Sequence, residues 1–228
     1  MTDVLTSLQE DFKLFLQALW DQLDLPQPTR AQYAIADYLQ HGPKRLQIQA
    51  FRGVGKSWIT GAFVLWTLFK NPEKKIMIIS ASKERADNMS IFLQKLIIET
   101  PWLKHLQPKS EDSRWSRISF DVNCSPHQAP SVKSVGITGQ LTGSRADLMI
   151  LDDIEVPGNS MTELMRESYF HYVPKPSRSL RRKTIAVLCI SGLLRLLLLF
   201  IVSWQSGITD HLFGQRDTQE ITPSMKAK

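Results

Sequence analysis

The chain has 228 residues, 43% of them apolar, and carries a net charge of +6 with a pI near 9.4. That is enough for one or two domains with a real core, and the basic balance is compatible with a phosphate or nucleic-acid partner. Two cysteines, Cys124 and Cys189, exclude a disulfide framework or a zinc site, and a start carrying Asp3, Glu10 and Asp11 excludes a secretory signal.

In chain order, residues 4–24 read as one amphipathic helix with Leu8, Phe12, Phe15, Leu16 and Leu19 on one side. Pro26 to Thr29 form a turn, and Thr29 caps a second helix over residues 31–39 that ends at His41-Gly42-Pro43. Gln32 lies in this helix and is open to two readings, a ligand for an adenine edge or one more exposed helical glutamine. Residues 46–49 alternate as a strand does, and a helix over 58–70 follows the glycine-rich turn between them. A buried strand at 75–81, a helix from Ser82 to Pro101, a shorter strand at 118–122 and another at 134–137 come next. A loop with Gly139 and Gly143 then leads into an apolar strand ending at Asp152. Strands alternating with helices predict a three-layer α/β domain, a mainly parallel sheet flanked by helices, with ligand beyond the carboxyl ends of the strands.

Two motifs carry chemistry. Ala50-Phe51-Arg52-Gly53-Val54-Gly55-Lys56-Ser57 follows a strand and opens a helix, as a phosphate-binding loop of a nucleoside triphosphatase does. Its backbone N–H groups would cradle phosphates, Lys56 would reach the β- and γ-phosphates, and Ser57 would ligate magnesium. Ala50 stands where the pattern has glycine. About a hundred residues later, 148–151 run as four apolar residues into Asp152 and Asp153, with Glu155 two further on. A buried parallel strand ending in a carboxylate places an acid on a magnesium shell.

Several stretches resemble the large terminase subunit of short-tailed phages, also called DNA maturase B. They are Pro28-Thr29 with Gln32, residues 49–57, Ser80 to Asp87, 118–122 and 131–153. The resemblance spans residues 1–167, and its longest part, Ser134 through Asp147, is far more specific than a phosphate loop. It implies the N-terminal ATPase domain of a motor that drives double-stranded DNA into a procapsid in the host cytoplasm. Such a motor works as a ring with a portal and a small terminase subunit, and a nuclease domain follows the ATPase. The resemblance implies ATP and Mg2+ as cofactors, Gln32 on adenine, Lys56 and Ser57 on phosphate and metal, and Asp152 on the metal shell. Asp153 and Glu155 compete for the water-activating role. Arg52 matches an arginine of the terminase phosphate loop that senses the γ-phosphate. Arg145 is open between an arginine finger towards a neighbouring subunit and a local ion pair with Asp147.

Residues 168–228 depart from the resemblance. Arg178, Arg181, Arg182 and Lys183 precede an apolar run at 184–204 that contains Arg195. Length and flanking charge are near those of a membrane segment, which makes a membrane-anchored, non-catalytic protein one alternative. A helicase-like ATPase is another, but no second-domain helicase motif is present. With the reading frame displaced by one base and permissible wobble bases, 187–196 back-translates to R-V-M-Y-L-G-T-P-Q-T and 213–217 to I-W-P-A-R. These are the strings that the terminase family carries there, in the right order. The sequence thus predicts an out-of-frame tail and a sheet lacking its coupling strand and everything on that C-terminal side.

Overall fold

A computed structural model describes residues 2–110, 113–137, 139, 146–154 and 183–189, with 2, 3, 45 and 183–189 as backbone. All lie in the first of two units into which the chain divides, Met1–Gly192 and Leu193–Lys228. Among the described residues six strands form one sheet: β1 (Arg45–Ala50), β2 (Ile76–Ser80), β3 (Ser119–Phe120), β4 (Val132–Gly136), β5 (Leu148–Asp152) and β6 (Lys183–Cys189). Their order is β1-β6-β5-β2-β4-β3, and every pairing is parallel except β3 with β4.

Local sequence accounts for the central strands. β2 (IMIIS) and β5 (LMILD) are buried at every position, the continuous apolar pattern of parallel strands covered on both faces. β1 alternates instead: Leu46, Ile48 and Ala50 are buried, while Gln47 and Gln49 are not. β4 ends at Gly136, where an added Cβ would sit 2.6 Å from the backbone nitrogen of Lys83. Only glycine lets the helix that follows β2, beginning at Lys83, start that close to the sheet.

The helices are α1 (Thr2–Glu10), α2 (Phe12–Gln22), α3 (Arg30–His41), α4 (Lys56–Lys70) and α5 (Lys83–Glu99), followed by a 3-10 helix over Pro101–Leu106. α4 is buried on nearly all sides from Ile59 to Phe69 and packs against α1, α2, α3 and α5. A helix apolar all round belongs in the middle of a layer. The two crossovers carrying α4 and α5 both move towards the β3 edge of the sheet. The right-handed rule therefore puts both helices on one face. Phe12 and Phe15 are fully buried and meet Phe63, Trp66, Phe69 and Trp102 at ring separations of 5.0 to 5.6 Å. Burying each phenylalanine is worth about 1.5–3 kcal/mol.

Three expectations change. The single helix over 4–24 is two helices, because Asp11 breaks it. Its Oδ1 accepts the N–H of Lys13 and caps α2. Gln40 fills the break from α3, accepting the N–H of Phe12 at 2.8 Å and donating to the carbonyl of Glu10 at 2.8 Å. Trp66 fastens α1 from below, its indole N–H donating to Leu8 O at 2.9 Å. The strand at 118–122 shrinks to two residues. The third correction is larger: the strand between β1 and β5 is not missing. β6 occupies that position, paired along its length on both sides, with Val187 in register with Ile48 and Asp152 and Cys189 in register with Ala50. A parallel strand in this slot is specified by backbone pairing and β-propensity, and the run Thr184-Ile185-Ala186-Val187-Leu188 supplies both.

The first residues of the apolar run at 184–204 are therefore strand. No described helix is long and apolar enough to cross a membrane. The rest of that run, residues 155–182 (Glu155 among them) and Arg145 lie outside the described residues.

Candidate functional site

The helix starts show where a ligand is expected. α2, α3 and α5 each begin with a side chain that satisfies a backbone N–H, from Asp11, Thr29 and Ser82. α4 begins at Gly55 with no side-chain cap. Its first turn therefore offers backbone N–H groups and the positive end of the helix dipole, the combination that takes an anion. Gly53 and Gly55 supply the left-handed turns of the loop at φ +89° and +82°. Ala50 is the last residue of β1, in extended backbone. It has no need of a positive φ, which is why alanine serves where the sequence pattern has glycine.

Lys56 is the first residue of α4. Its ammonium donates to the carbonyls of Ala50 at 3.3 Å and Phe51 at 3.1 Å, so it lies back across the loop it would help to fill with phosphate. Ser57 follows, and its hydroxyl points to Asp152 Oδ2 at 3.5 Å, a long contact that closes 95 residues of chain. β6 holds the two motifs apart by one strand and in register.

Asp152 is the most perturbed group here. It is buried at the end of β5, and its Oδ1 has no hydrogen-bond partner. Ser80 Oγ, in register beside it on β2, has none either. Burial pushes the Asp152 carboxyl up to about 6, the adjacent Asp153 charge adds to this, and Lys56, the Ser57 hydroxyl and Arg85 act against it. A buried carboxylate with an orphaned oxygen beside a serine hydroxyl fits a hard divalent cation. One carboxylate and one hydroxyl also suit magnesium, which keeps several waters and takes other oxygens from a triphosphate. Among the described residues no cluster of three metal-ligating His, Cys, Asp or Glu exists.

Lys56, Ser57, Arg52, Gly53, Gly55, Asp152 and Asp153 all line one cavity of about 800 Å³ at the carboxyl edge of the sheet. Ala50, Phe51 and Val54 complete the loop as backbone, with Phe51 exposed and Val54 buried. Gln32 is not among the lining residues. Its Oε1 accepts the N–H of Thr29 at 2.7 Å in a capping box, and its Nε2 donates to Val54 O at 3.0 Å. It thus ties the start of α3 to the phosphate loop. Asp153 has φ +46°, a left-handed turn that aspartate adopts more readily than most non-glycine residues.

Sequence reading missed the far wall of the cavity, formed by Arg85, Asn88, Met89 and Phe92 of α5 with Trp58 of α4. Arg85 reaches Asp153, Nη1 to Oδ2, at 3.4 Å. The available signal was positional. α5 follows a parallel strand, so its first turn opens on the same carboxyl edge as the phosphate loop.

No family model matches the chain. It is 54% identical over 172 residues, 75% of its length, to a curated protein described as the large subunit of terminase from Enterobacteria phage T3. The chain spans 29% of that relative's length. Among solved structures, the large terminase of bacteriophage HK97 matches with a TM-score of 0.52 over 81% of this chain and 39% of that one, at 16% identity. That match shows the fold. The large terminase ATPase domain of a Thermus phage aligns over 84% of this chain and 76% of that one, at 17% identity and a TM-score of 0.45.

Proposed function

We propose, from the premise that this chain is homologous to a portion of the large subunit of a phage terminase, that it binds and hydrolyses ATP as the ATPase part of a motor for packaging viral double-stranded DNA. The observation that carries the reading is the meeting of Lys56, Ser57 and Asp152 at one cavity edge across 95 residues of chain, in front of an uncapped helix start. The loop N–H groups and Lys56 take the phosphates and neutralise charge that develops on the γ-phosphoryl group as water attacks in line. Ser57 and Asp152 would hold magnesium, which when bound supplies Lewis-acid neutralisation of the β- and γ-oxygens. Asp153 and Glu155 remain the two carboxylates able to orient the water, and Arg52 contributes a further positive charge at the loop. The family resemblance puts Gln32 on the adenine edge, where it would use the acceptor and donor capacity left over from its bonds to the Thr29 N–H and Val54 O. Arg145 stays open between an arginine finger towards a neighbouring subunit and a local ion pair with Asp147. Double-stranded DNA, a portal, a small terminase subunit and a homo-oligomeric ring in the host cytoplasm follow as partners and place from the same premise.

The test is magnesium-dependent ATP turnover by the full chain and its Lys56→Ala variant. Loss of about 10²-fold or more in the variant is expected; turnover unchanged by the substitution would overturn the assignment.

For residues 168–228 we propose translation one base out of frame. The two displaced strings support this, as does homology that covers three quarters of the chain. On this reading β6 stands in the slot of the coupling strand with a sequence never selected for coupling. Nucleotide sequence from codon 160 onward decides it. Both strings one register away are the expected finding, and their absence would make the tail genuine.

A further inference from the structure

The Arg85–Asp153 pair is unlike a stabilising salt bridge. Arg85 is the third residue of α5, its backbone N–H fixed by Ser82 Oγ at 3.3 Å. Its guanidinium meets Asp153 through one nitrogen at 3.4 Å, with the two side chains 54% and 35% exposed. A single long contact in that setting contributes little. Asp153 sits at φ +46° directly after the last residue of β5, which brings its carboxylate to the carboxyl edge of the sheet where Arg85 meets it. Both side chains line the cavity that Lys56 and Ser57 also line, Arg85 from α5 and the phosphate-loop residues from the start of α4. A planar guanidinium matches two phosphate oxygens better than it matches one carboxylate oxygen at this distance.

We propose that Arg85 is a terminal-phosphate sensor that acts by exchange. Without nucleotide it holds Asp153. With a triphosphate in the cavity it transfers to the γ-phosphate and leaves the Asp153 carboxylate facing the space where water attacks. A diphosphate ends short of Arg85 and does not trigger the exchange. This rests on the ATPase reading above and deepens it, because it gives the site a means of telling ATP from ADP on α5, beside the Arg52 that the phosphate loop already carries.

The experiment is equilibrium titration of the full chain with N-methylanthraniloyl ATP and ADP in magnesium, for wild type, Arg85→Ala, Arg85→Lys, Asp153→Asn and the double variant. Arg85→Ala should weaken ATP by about 10- to 100-fold, the size of a lost charged hydrogen bond, with ADP affinity moving less than about twofold, which also certifies a folded site. Arg85→Lys should restore part of the loss. Asp153→Asn should tighten ATP by removing the competitor, and that gain should vanish in the double variant. Equal losses for ATP and ADP, no loss for either, or an Asp153→Asn gain that persists without Arg85 would overturn the exchange. Wild type that binds neither nucleotide would instead overturn the ATPase reading, and wild type that binds both equally would overturn the sensor alone.

Discussion

β2 connects two carboxylates treated in opposite ways. At its amino end, Glu73 lies on the surface with every oxygen engaged. Oε1 accepts the N–H of Ser125 at 2.9 Å and its hydroxyl at 3.0 Å, and Oε2 meets His127 Nε2 at 2.8 Å. Those bonds, the backbone one first, hold its carboxyl down to about 2. At the carboxyl end, in register with Ser80, Asp152 is buried with one oxygen orphaned and its carboxyl pushed up to about 6. Glu73 is finished by the protein itself and ties the loop before β4 to the loop before β2, as Arg114 does further along by bonding Asp121 and the carbonyls of His127 and Gln128. Asp152 is left incomplete by the protein, and an incomplete buried carboxylate persists where a ligand completes it.

Asp152→Asn gives the largest effect and sharpens this contrast. The folded-state value near 6 lies above the ordinary 3.8, so the group opposes folding when ionised. Wild type therefore gains stability from this group as pH falls from about 6 to about 4, where the carboxylate takes up its proton in the fold. The variant should be more stable than wild type at pH 7 without metal or nucleotide, by about 1–3 kcal/mol. The advantage should close below about pH 4, where both side chains are neutral. Denaturant unfolding in EDTA across that range measures it. ATP turnover should disappear in the same protein, so stability and activity move in opposite directions. A variant less stable than wild type at pH 7 would break the reading of Asp152 as a frustrated ligand.

The finished and unfinished regions also differ in how far the sequence revealed them. Elements with a strong local signal were legible. β2 and β5 are unbroken apolar runs, Thr29 announces α3, Ser82 announces α5, and the glycines at 53 and 55 with Lys56 and Ser57 announce the loop. The pairing of Ser57 with Asp152 was legible because each side carries its own pattern. What was hidden depends on contacts between segments distant in sequence. The break at Asp11 needs Gln40 from another helix. The far wall of the cavity needs α5 to lie beside α4, which apolar periodicity does not encode. Gln32 was visible as a residue but not as a brace on Val54 O, a bond across 22 residues. β6 is the clearest case. Its slot between β1 and β5 is made by strands far earlier in the chain, and a short β-prone segment fills it whatever its origin.

Glu73→Gln is the smaller and opposite test, made at the finished end. The carboxylate there is depressed below its ordinary 4.5, so it favours the fold. Its contribution is present in full above about pH 4.5 and is lost as pH falls through about 2. Glutamine keeps one acceptor for Ser125 but gives up the charge facing His127. Wild type should therefore hold a modest lead in melting temperature at pH 6. The lead should shrink steadily between about pH 4.5 and pH 2, the reverse of the sign expected at Asp152. Because both side chains of the Glu73–His127 pair are 45% exposed, salt screens them, and the lead should also shrink in 1 M sodium chloride. ATP affinity should stay at the wild-type value, since Glu73 is not among the residues lining the cavity. If Glu73→Gln instead weakened ATP binding, the two ends of β2 would be energetically coupled through the strand, and the division into a self-satisfied end and a ligand-awaiting end would fail.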